Sequence, residues 1–229
     1  MKYTLVFAAF STYLVVLAVH LGGLAWLLLW PALSFLLIAA AYAGLGPGVC
    51  GKRPDGRLAW WAVLLLFHYL LLTWGVWHLQ RLLSREPACN EVVPGLWVGR
   101  RPLARELPPG TDLVVDLTAE FPEPRGVTVG RSYVCLPTLD ALAPPVAAMR
   151  ELVKQVAAWP GTAYVHCAAG HGRSALVAAA VLLARGLAAD PKEAQRLVRK
   201  ARPGVSLNKS QRRLLELLVP EHPAAGPGP

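Results

Sequence analysis

The chain has 229 residues, of which 55% are hydrophobic and 16% charged, and its formal net charge at pH 7 is +9. A positive balance can indicate nucleic-acid binding, but the arginines are scattered and no aromatic side chains are interleaved with them. We therefore expect no nucleic-acid partner. Attraction to anionic lipid headgroups or phosphorylated substrates accounts for the charge better, and a solvated arginine-rich surface accounts for it about equally well.

The first third of the chain is apolar, with one charged cluster, residues 52–57, between Tyr3 and Leu79. A transmembrane helix needs about 20 apolar residues. The pattern predicts an all-α transmembrane region over residues 1–80, with about three helices at 3–20, 24–44 and 58–79. The near absence of charge argues against the core helices of a soluble domain. The apolar run also continues well past the length of a cleavable signal peptide.

A short linker, residues 81–90, precedes a segment in which predicted strands alternate with predicted helices, residues 91–220. The strands are predicted at 95–98, 112–117, 128–135 and 162–166, and the helices at 144–158, 174–186, 190–201 and 208–218. This alternation predicts an α/β domain with a central sheet flanked by helices, and roughly 130 residues can bury a sufficient core. The Pro-, Gly- and Ala-rich residues 221–229 predict a disordered tail.

Residues 166–174, His-Cys-Ala-Ala-Gly-His-Gly-Arg-Ser, join a predicted buried strand to a predicted buried helix. The N–H groups of a tight loop that enters a helix form an anion-binding nest, which the helix dipole strengthens. The same field favours a thiolate at Cys167. Gly170 and Gly172 permit a close approach of the backbone to phosphate, and Arg173 offers a planar fork of donors for two phosphate oxygens. The pattern predicts a cysteine-dependent phosphatase.

The motif His-Cys-x5-Arg-Ser resembles the signature of the protein tyrosine phosphatase superfamily, and the surrounding residues, about 90–220, resemble its dual-specificity branch. Three further segments carry the resemblance. Residues 91–99 resemble the opening strand of such domains, and residues 136–140, Leu-Pro-Thr-Leu-Asp, resemble their general-acid loop. Residues 202–211, which begin Arg-Pro-Gly-Val-Ser, resemble the segment that packs behind the phosphate-binding loop.

The resemblance implies a role for each of four catalytic residues. Cys167 would attack phosphorus and form a phosphocysteine intermediate. Arg173 would bind the oxygens of the transferring phosphoryl group. Asp140 would protonate the leaving oxygen and later activate water, and Ser174 would donate a hydrogen bond to the Cys167 sulfur.

The remaining implied roles belong to binding and support. The phosphate-binding loop would consist of Ala168, Ala169, Gly170, His171 and Gly172. His166 would orient this loop and tune the thiol, and Asn208 would hydrogen-bond the loop from behind. The resemblance implies no metal and no cofactor.

Each assignment has a simpler alternative. A lone buried cysteine is usually an inert hydrophobe, but Cys167 has Arg173 six residues on and glycines between. Asp140 beside a proline-rich stretch could be only a turn residue or helix cap. Asp116 is the rival acid, but it ends a predicted strand and is better interpreted as a structural hydrogen-bonding group. His171 is either a tolerated loop residue or a substrate contact.

The substrate class stays open between phosphorylated proteins and lipids. The favoured substrates are phosphotyrosine, phosphoserine or phosphothreonine proteins. The alternatives are a lipid phosphate, of the phosphatidylglycerophosphate or phosphoinositide type, and a non-catalytic phosphate-binding module. Relatives that act on inositol headgroups carry loop lysines where this chain has Ala168, Ala169 and His171, which weakens the phosphoinositide alternative.

We expect a multi-pass integral membrane protein. Positive charges flank the last predicted span on both sides, so the positive-inside rule assigns no orientation. A nucleophilic thiolate keeps its activity best in a reducing compartment. The sequence therefore predicts a cytoplasmic catalytic domain, and with two spans instead of three the N-terminus would lie on the same side.

Overall fold

A computed structural model describes residues 2–219, which form two compact units. The helical unit consists of residues 2–86 together with two later segments, 118–124 and 137–140. The sheet unit consists of residues 87–117, 125–136 and 141–219. The predicted disordered tail, residues 221–229, lies outside the described residues.

The helical unit begins with two long apolar helical stretches. Its four α-helices are α1 (Lys2–Leu21), α2 (Leu29–Ala40), α3 (Trp60–Leu65) and α4 (Phe67–Leu83). Gly22 and Gly23 have φ angles of 61° and 54°, which glycine adopts readily, and they separate the first two stretches close to the predicted boundary. The stretches Lys2–Leu21 and Gly23–Leu45 are both long and apolar enough to cross a membrane.

The third apolar stretch, predicted as a span over 58–79, is not one helix of spanning length. It is divided between α3 and α4 at Leu66, where the backbone angles are φ −98° and ψ 13°. Lys52, which precedes the stretch, donates a hydrogen bond to the Phe121 carbonyl. Trp74, near its end, donates through Nε1 to the Glu120 carbonyl at 2.9 Å.

The sheet unit is built around one five-stranded sheet, with order β1-β2-β5-β3-β4. The strands are β1 (Cys89–Val93), β2 (Leu96–Arg100), β3 (Thr111–Thr118), β4 (Ser132–Thr138) and β5 (Thr162–Cys167). The helices are α5 (Arg125–Thr128), α6 (Val146–Ala157), α7 (Arg173–Ala184), α8 (Pro191–Ala201) and α9 (Lys209–Leu217). The central strand β5 runs parallel to both β2 and β3, and β1 is antiparallel to β2.

The core of the sheet unit lies around β5 and α7. Every residue of α7 from Arg173 to Leu183 is buried, which agrees with its alanine-rich apolar sequence. The sheet flanked by helices confirms the predicted α/β class.

Two predicted strands differ from the structure. Residues 91–99 form a hairpin of β1 and β2, because Gly95, with φ 77°, turns the chain back. The strand predicted at 128–135 begins only at Ser132, after the short helix α5 and Gly130 with φ 74°. In both places a glycine in a left-handed conformation interrupts the segment predicted as one strand.

Candidate active site

The central strand and the most buried helix of the sheet unit meet at the predicted phosphate-binding loop. β5 ends at Cys167 and α7 begins at Arg173, so residues 168–172 form the connection that the sequence predicts. Cys167, Arg173 and Ser174 are all buried. The loop therefore enters a helix N-terminus inside the core, where the helix dipole favours an anion.

The carbonyl groups of this loop are turned away from its centre. Four consecutive carbonyls accept hydrogen bonds from donors outside the loop: Ala168 from Arg101 N (3.2 Å), Ala169 from Arg202 Nη2 (3.1 Å), Gly170 from Arg202 Nε (3.0 Å) and His171 from Ser206 N (3.1 Å). In a trans peptide the N–H points opposite to the carbonyl. The N–H groups of residues 169–172 therefore turn toward the concave side, which is the arrangement of an anion-binding nest.

Two groups lie against the sulfur of Cys167. The Gly170 N–H donates to Cys167 Sγ at 3.2 Å, and Ser174 Oγ lies 3.4 Å from the same sulfur. Both groups can donate to a thiolate.

A glycine is required at position 170 for two reasons. Its φ angle is 82°, in the left-handed region. A Cβ atom there would lie 2.4 Å from the Gly99 carbonyl carbon and 2.6 Å from the Arg100 nitrogen of β2. The loop therefore packs directly on the backbone of the neighbouring strand.

Arg173 opens α7 with its guanidinium inside the protein. Its exposed fraction is 2%, and Nη1 donates to the Leu117 carbonyl in β3 at 3.4 Å. A planar guanidinium held by the strand beside the loop has a restricted orientation, which suits it to bind two oxygens of one phosphoryl group.

His166 and Asp116 are neighbours across β5 and β3. Both side chains are fully buried, and His166 Nε2 lies 4.0 Å from Asp116 Oδ1. Tyr133 donates a hydrogen bond through its hydroxyl to Asp116 Oδ2 at 2.8 Å. Burial, followed by the Asp116 carboxylate, raises the pKa of Tyr133 well above its ordinary value. Asp116 thus occupies a buried polar network.

The residue that holds the loop from behind is Arg202, where the sequence predicted Asn208. The Arg202 side chain is 1% exposed, and besides the two loop carbonyls it donates to Pro87 O at 3.0 Å and to Asn90 Oδ1 at 2.9 Å. Asn208 instead caps α9, accepting from Gln211 N at 3.0 Å, and donates to the Ala141 carbonyl at 2.7 Å. The short Asn208 side chain caps the N-terminus of a helix, whereas the longer side chain of an arginine can donate to several carbonyls at once through its guanidinium.

Arg202 stands in the segment 202–211 that the resemblance had singled out. The sequence assigned it no role, because the burial of this arginine is visible only in the structure. Long cations are almost never fully buried unless their donors have partners.

Asp140 follows β4 and belongs to the helical unit, whereas Cys167, Arg173 and Ser174 belong to the sheet unit. The Asp140 side chain is exposed, and its main-chain carbonyl accepts a hydrogen bond from the Tyr42 hydroxyl at 3.1 Å. The next residue, Ala141, has φ 58°, a strained conformation for a residue with a side chain. The role of Asp140 as the acid stays a prediction.

Comparison with known proteins agrees with this geometry. The family model described as "PTP-SAK: Swiss Army Knife protein, DSP-PTPase phosphatase domain" matches residues 101–215. The crystal structure of Tk-PTP in the active form is similar with a TM-score of 0.52 and 29% identity, over 58% of this chain and 96% of that chain. The structure of PTPMT1 in complex with PI(5)P has a TM-score of 0.52 at 23% identity, over 57% and 94%, and shares the fold.

A search of curated proteins finds no match. The family match covers half of the chain, including β3, the loop after β5 and the Arg202 segment. The predicted dual-specificity-type domain is therefore confirmed, and the chain belongs to the Swiss Army Knife family of DSP-PTPase phosphatase domains.

Proposed function

We propose that this protein is a membrane-anchored, cysteine-dependent phosphatase that hydrolyses phosphomonoesters of phosphorylated proteins through a phosphocysteine intermediate. The observation that carries the proposal is that the carbonyls of residues 168–171 all accept hydrogen bonds from donors outside the loop. It leaves a ring of N–H donors beside the Cys167 sulfur, with Arg173 at the start of the helix.

In the first step, the loop N–H groups and Arg173 bind the oxygens of the phosphoryl group. The Cys167 thiolate attacks phosphorus, and the bond from phosphorus to the leaving oxygen breaks. Asp140 gives its proton to that oxygen, so the product alcohol leaves neutral. The donors act on charge that spreads over the phosphoryl oxygens in the transition state, and this is where fixed donors contribute most to the rate.

In the second step, Asp140 accepts a proton from water, whose oxygen attacks phosphorus and releases inorganic phosphate. The Cys167 sulfur leaves as a thiolate. Ser174, 3.4 Å away, donates a hydrogen bond to the departing sulfur, as does the Gly170 N–H at 3.2 Å. His166, on the strand end beside Asp116, holds the start of the loop in place.

Loop composition favours protein substrates over polyphosphorylated inositol lipids. The side chains of Ala168 and Ala169 offer no charge for a second phosphate. A single phosphomonoester on tyrosine, serine or threonine needs no such charge.

A lipid monophosphate is the second candidate, and the helical unit is the observation that favours it. Most of the surface of the stretches Lys2–Leu21 and Gly23–Leu45 is exposed: only 17% and 33% of their most apolar windows are buried. Exposed apolar side chains such as Leu24 and Leu27 suit lipid rather than water. An enzyme held in a bilayer meets lipid substrates at high local concentration.

These exposed stretches also support the membrane anchor and its topology. Two spans joined at Gly22 and Gly23 return the chain to the side where it began. The Tyr3 and Tyr42 rings stack with centroids 5.2 Å apart, so the start of the first stretch and the end of the second are neighbours. We therefore place the N-terminus and the phosphatase domain on the same side, in the reducing cytoplasm, where the Cys167 thiol stays reduced.

The test is phosphate release by the full chain in detergent micelles with a metal chelator present. The substrates are a phosphotyrosine peptide and phosphatidylglycerophosphate, and the control is the Cys167→Ser variant. Activity that survives the chelator and is lost in the variant supports the proposal, and the preferred substrate decides between protein and lipid. Failure to hydrolyse both these substrates and a simple aryl phosphate would contradict it and favour a phosphate-binding role.

A further inference from the structure

The helical unit contains two segments that are attached, through the chain, to strands of the phosphatase fold. Residues 118–124 begin at the last residue of β3, residues 137–140 begin within the end of β4, and both pack within the helical unit. The candidate acid Asp140 is the last residue of the second segment. The helical unit therefore includes the main chain that carries the candidate acid.

One contact to the acid segment, residues 137–140, is a well-defined hydrogen bond. Tyr42, at the C-terminal end of the second apolar stretch, donates through its hydroxyl to the main-chain carbonyl of Asp140 at 3.1 Å. The Tyr42 ring is held in turn by Tyr3, with centroids 5.2 Å apart, and by Phe7, at 5.8 Å. A ring packed on both these neighbours has little rotamer freedom, so its hydroxyl can fix the peptide group that carries the acid.

The other segment has denser contacts of the same kind. Lys52 donates to Thr118 Oγ1 at 3.3 Å and to the Phe121 carbonyl. The Glu123 N–H donates to the Gly56 carbonyl at 2.8 Å, and the Trp77 ring lies 5.7 Å from the ring of Phe121. The charged cluster 52–57, which the sequence presented as a loop between spans, is thus used to hold this segment.

We infer that Tyr42 is a positioning residue for Asp140, so that protonation of the leaving group depends on the packing of the helical unit. This inference rests on the proposed role of Asp140 as general acid. The remote hydroxyl touches no substrate. It acts by fixing the main chain from which the Asp140 carboxyl projects, and a misplaced general acid loses part of a contribution that is typically 10²- to 10⁴-fold.

The test compares leaving groups, using the full chain in detergent micelles. A phosphotyrosine peptide releases a phenol of pKa ~10, which needs a proton from the acid. 4-Nitrophenyl phosphate releases a much more acidic phenol, which needs that proton far less. The variants are Tyr42→Phe, which removes only the hydroxyl, Asp140→Asn, which removes the acid, and Tyr13→Phe, the same change at an exposed position of α1.

We expect Tyr42→Phe to lower kcat/KM on the phosphotyrosine peptide roughly three- to tenfold, the worth of one hydrogen bond. The loss of kcat/KM on 4-nitrophenyl phosphate should be at least threefold smaller, because kcat/KM reports the first step, in which the leaving group departs. Asp140→Asn should show the same pattern more strongly, and Tyr13→Phe should match the unmodified chain on both substrates.

The inference is overturned if Asp140→Asn shows the larger loss on the phosphotyrosine peptide but Tyr42→Phe shows equal losses on the two substrates or no loss at all. If Asp140→Asn shows no leaving-group dependence, then the acid assignment fails and the inference fails with it. The thermal unfolding midpoint of each variant is also measured. It distinguishes the loss of a positioning contact from simple destabilisation, which lowers turnover of both substrates alike.

Discussion

The Sγ atom of Cys167 lies 3.4 Å from the Oγ atom of Ser174, the second residue of the helix α7 that follows the loop. Both side chains are buried, so water does not compete for this contact. In the proposed mechanism the sulfur is charged before attack and again as it leaves phosphorus, and the serine is fixed beside it in both states.

Ser174→Ala should therefore slow breakdown of the phosphoenzyme more than its formation. Hydrogen bonds to charged groups contribute about 1.5–3 kcal/mol, which corresponds to a loss of roughly 10- to 150-fold in the second step. Stopped-flow measurement of 4-nitrophenol should show a burst of about one equivalent followed by slow turnover. Loss of the burst together with the steady rate would mean that Ser174 supports the attack instead.

Gly170→Ala should displace the loop from the β2 backbone. The added methyl would lie 2.4 Å from the Gly99 carbonyl carbon, a clash that only movement of the main chain can relieve. We expect the affinity for vanadate, measured as inhibition, to fall more than tenfold, because the loop N–H donors no longer converge.

Gly130→Ala is the matched control for that change. Gly130 also has a positive φ, 74°, but a Cβ there meets nothing within 4 Å. This variant has the same conformational strain without the clash, so it should keep vanadate affinity. Equal losses in the two variants would contradict the packing explanation.

Arg202→Met should destabilise the chain and the loop together. Four acceptors, two of them loop carbonyls, lose their donor; one of these hydrogen bonds is buried and the other three are partly buried. An unsatisfied buried polar group costs about 1–3 kcal/mol, so we expect the free energy of unfolding to fall by about 3 kcal/mol or more in guanidinium titrations. Arg199→Met, at an exposed position of α8, should change it by less than about 0.5 kcal/mol.

Cys89 should react slowly with iodoacetamide at neutral pH. Burial raises the pKa of the Cys89 thiol, and the Glu106 carboxylate adds to this. A raised pKa keeps the thiol protonated, and only the thiolate reacts. The alkylation rate of Cys89, followed by mass spectrometry of its peptide, should increase as the pH rises above the ordinary thiol range near ~8.5. Labelling at pH 7 as fast as in the guanidinium-unfolded chain would contradict this.

Sequence reasoning predicted the parts of the site that are local in the chain. Cys167, Arg173 and Ser174 share one strand, loop and helix, so their proximity follows from the spacing alone. The α/β class and the order of helices from α6 to α9 also follow from apolar periodicity.

The parts that depend on distant packing were not predictable in this way. Arg202 reaches residues 169 and 170 only because α8 packs against α7 and brings the following turn to the loop. Asn208 has the sequence features of a helix cap, an asparagine with a glutamine three residues on, and that local role is the one that the structure gives it.

The contacts of the helical unit were likewise not predictable from the sequence. An apolar run of about 20 residues at 58–79 has the composition of a span. The contacts of Lys52 and Trp74 with adjacent residues of a segment 46 to 69 positions away in the chain have no signature in the sequence.

The most direct test of the proposed phosphocysteine mechanism is to trap the covalent intermediate on the full chain. The protein is mixed with excess 4-nitrophenyl phosphate, quenched in acid within milliseconds and digested, and the peptide that contains residue 167 is analysed by mass spectrometry. We expect one added phosphoryl group on Cys167, more abundant in Ser174→Ala and absent in Cys167→Ser. Turnover with no phosphorylated Cys167 in either the unmodified chain or Ser174→Ala, or with the phosphoryl group on another residue, would contradict it.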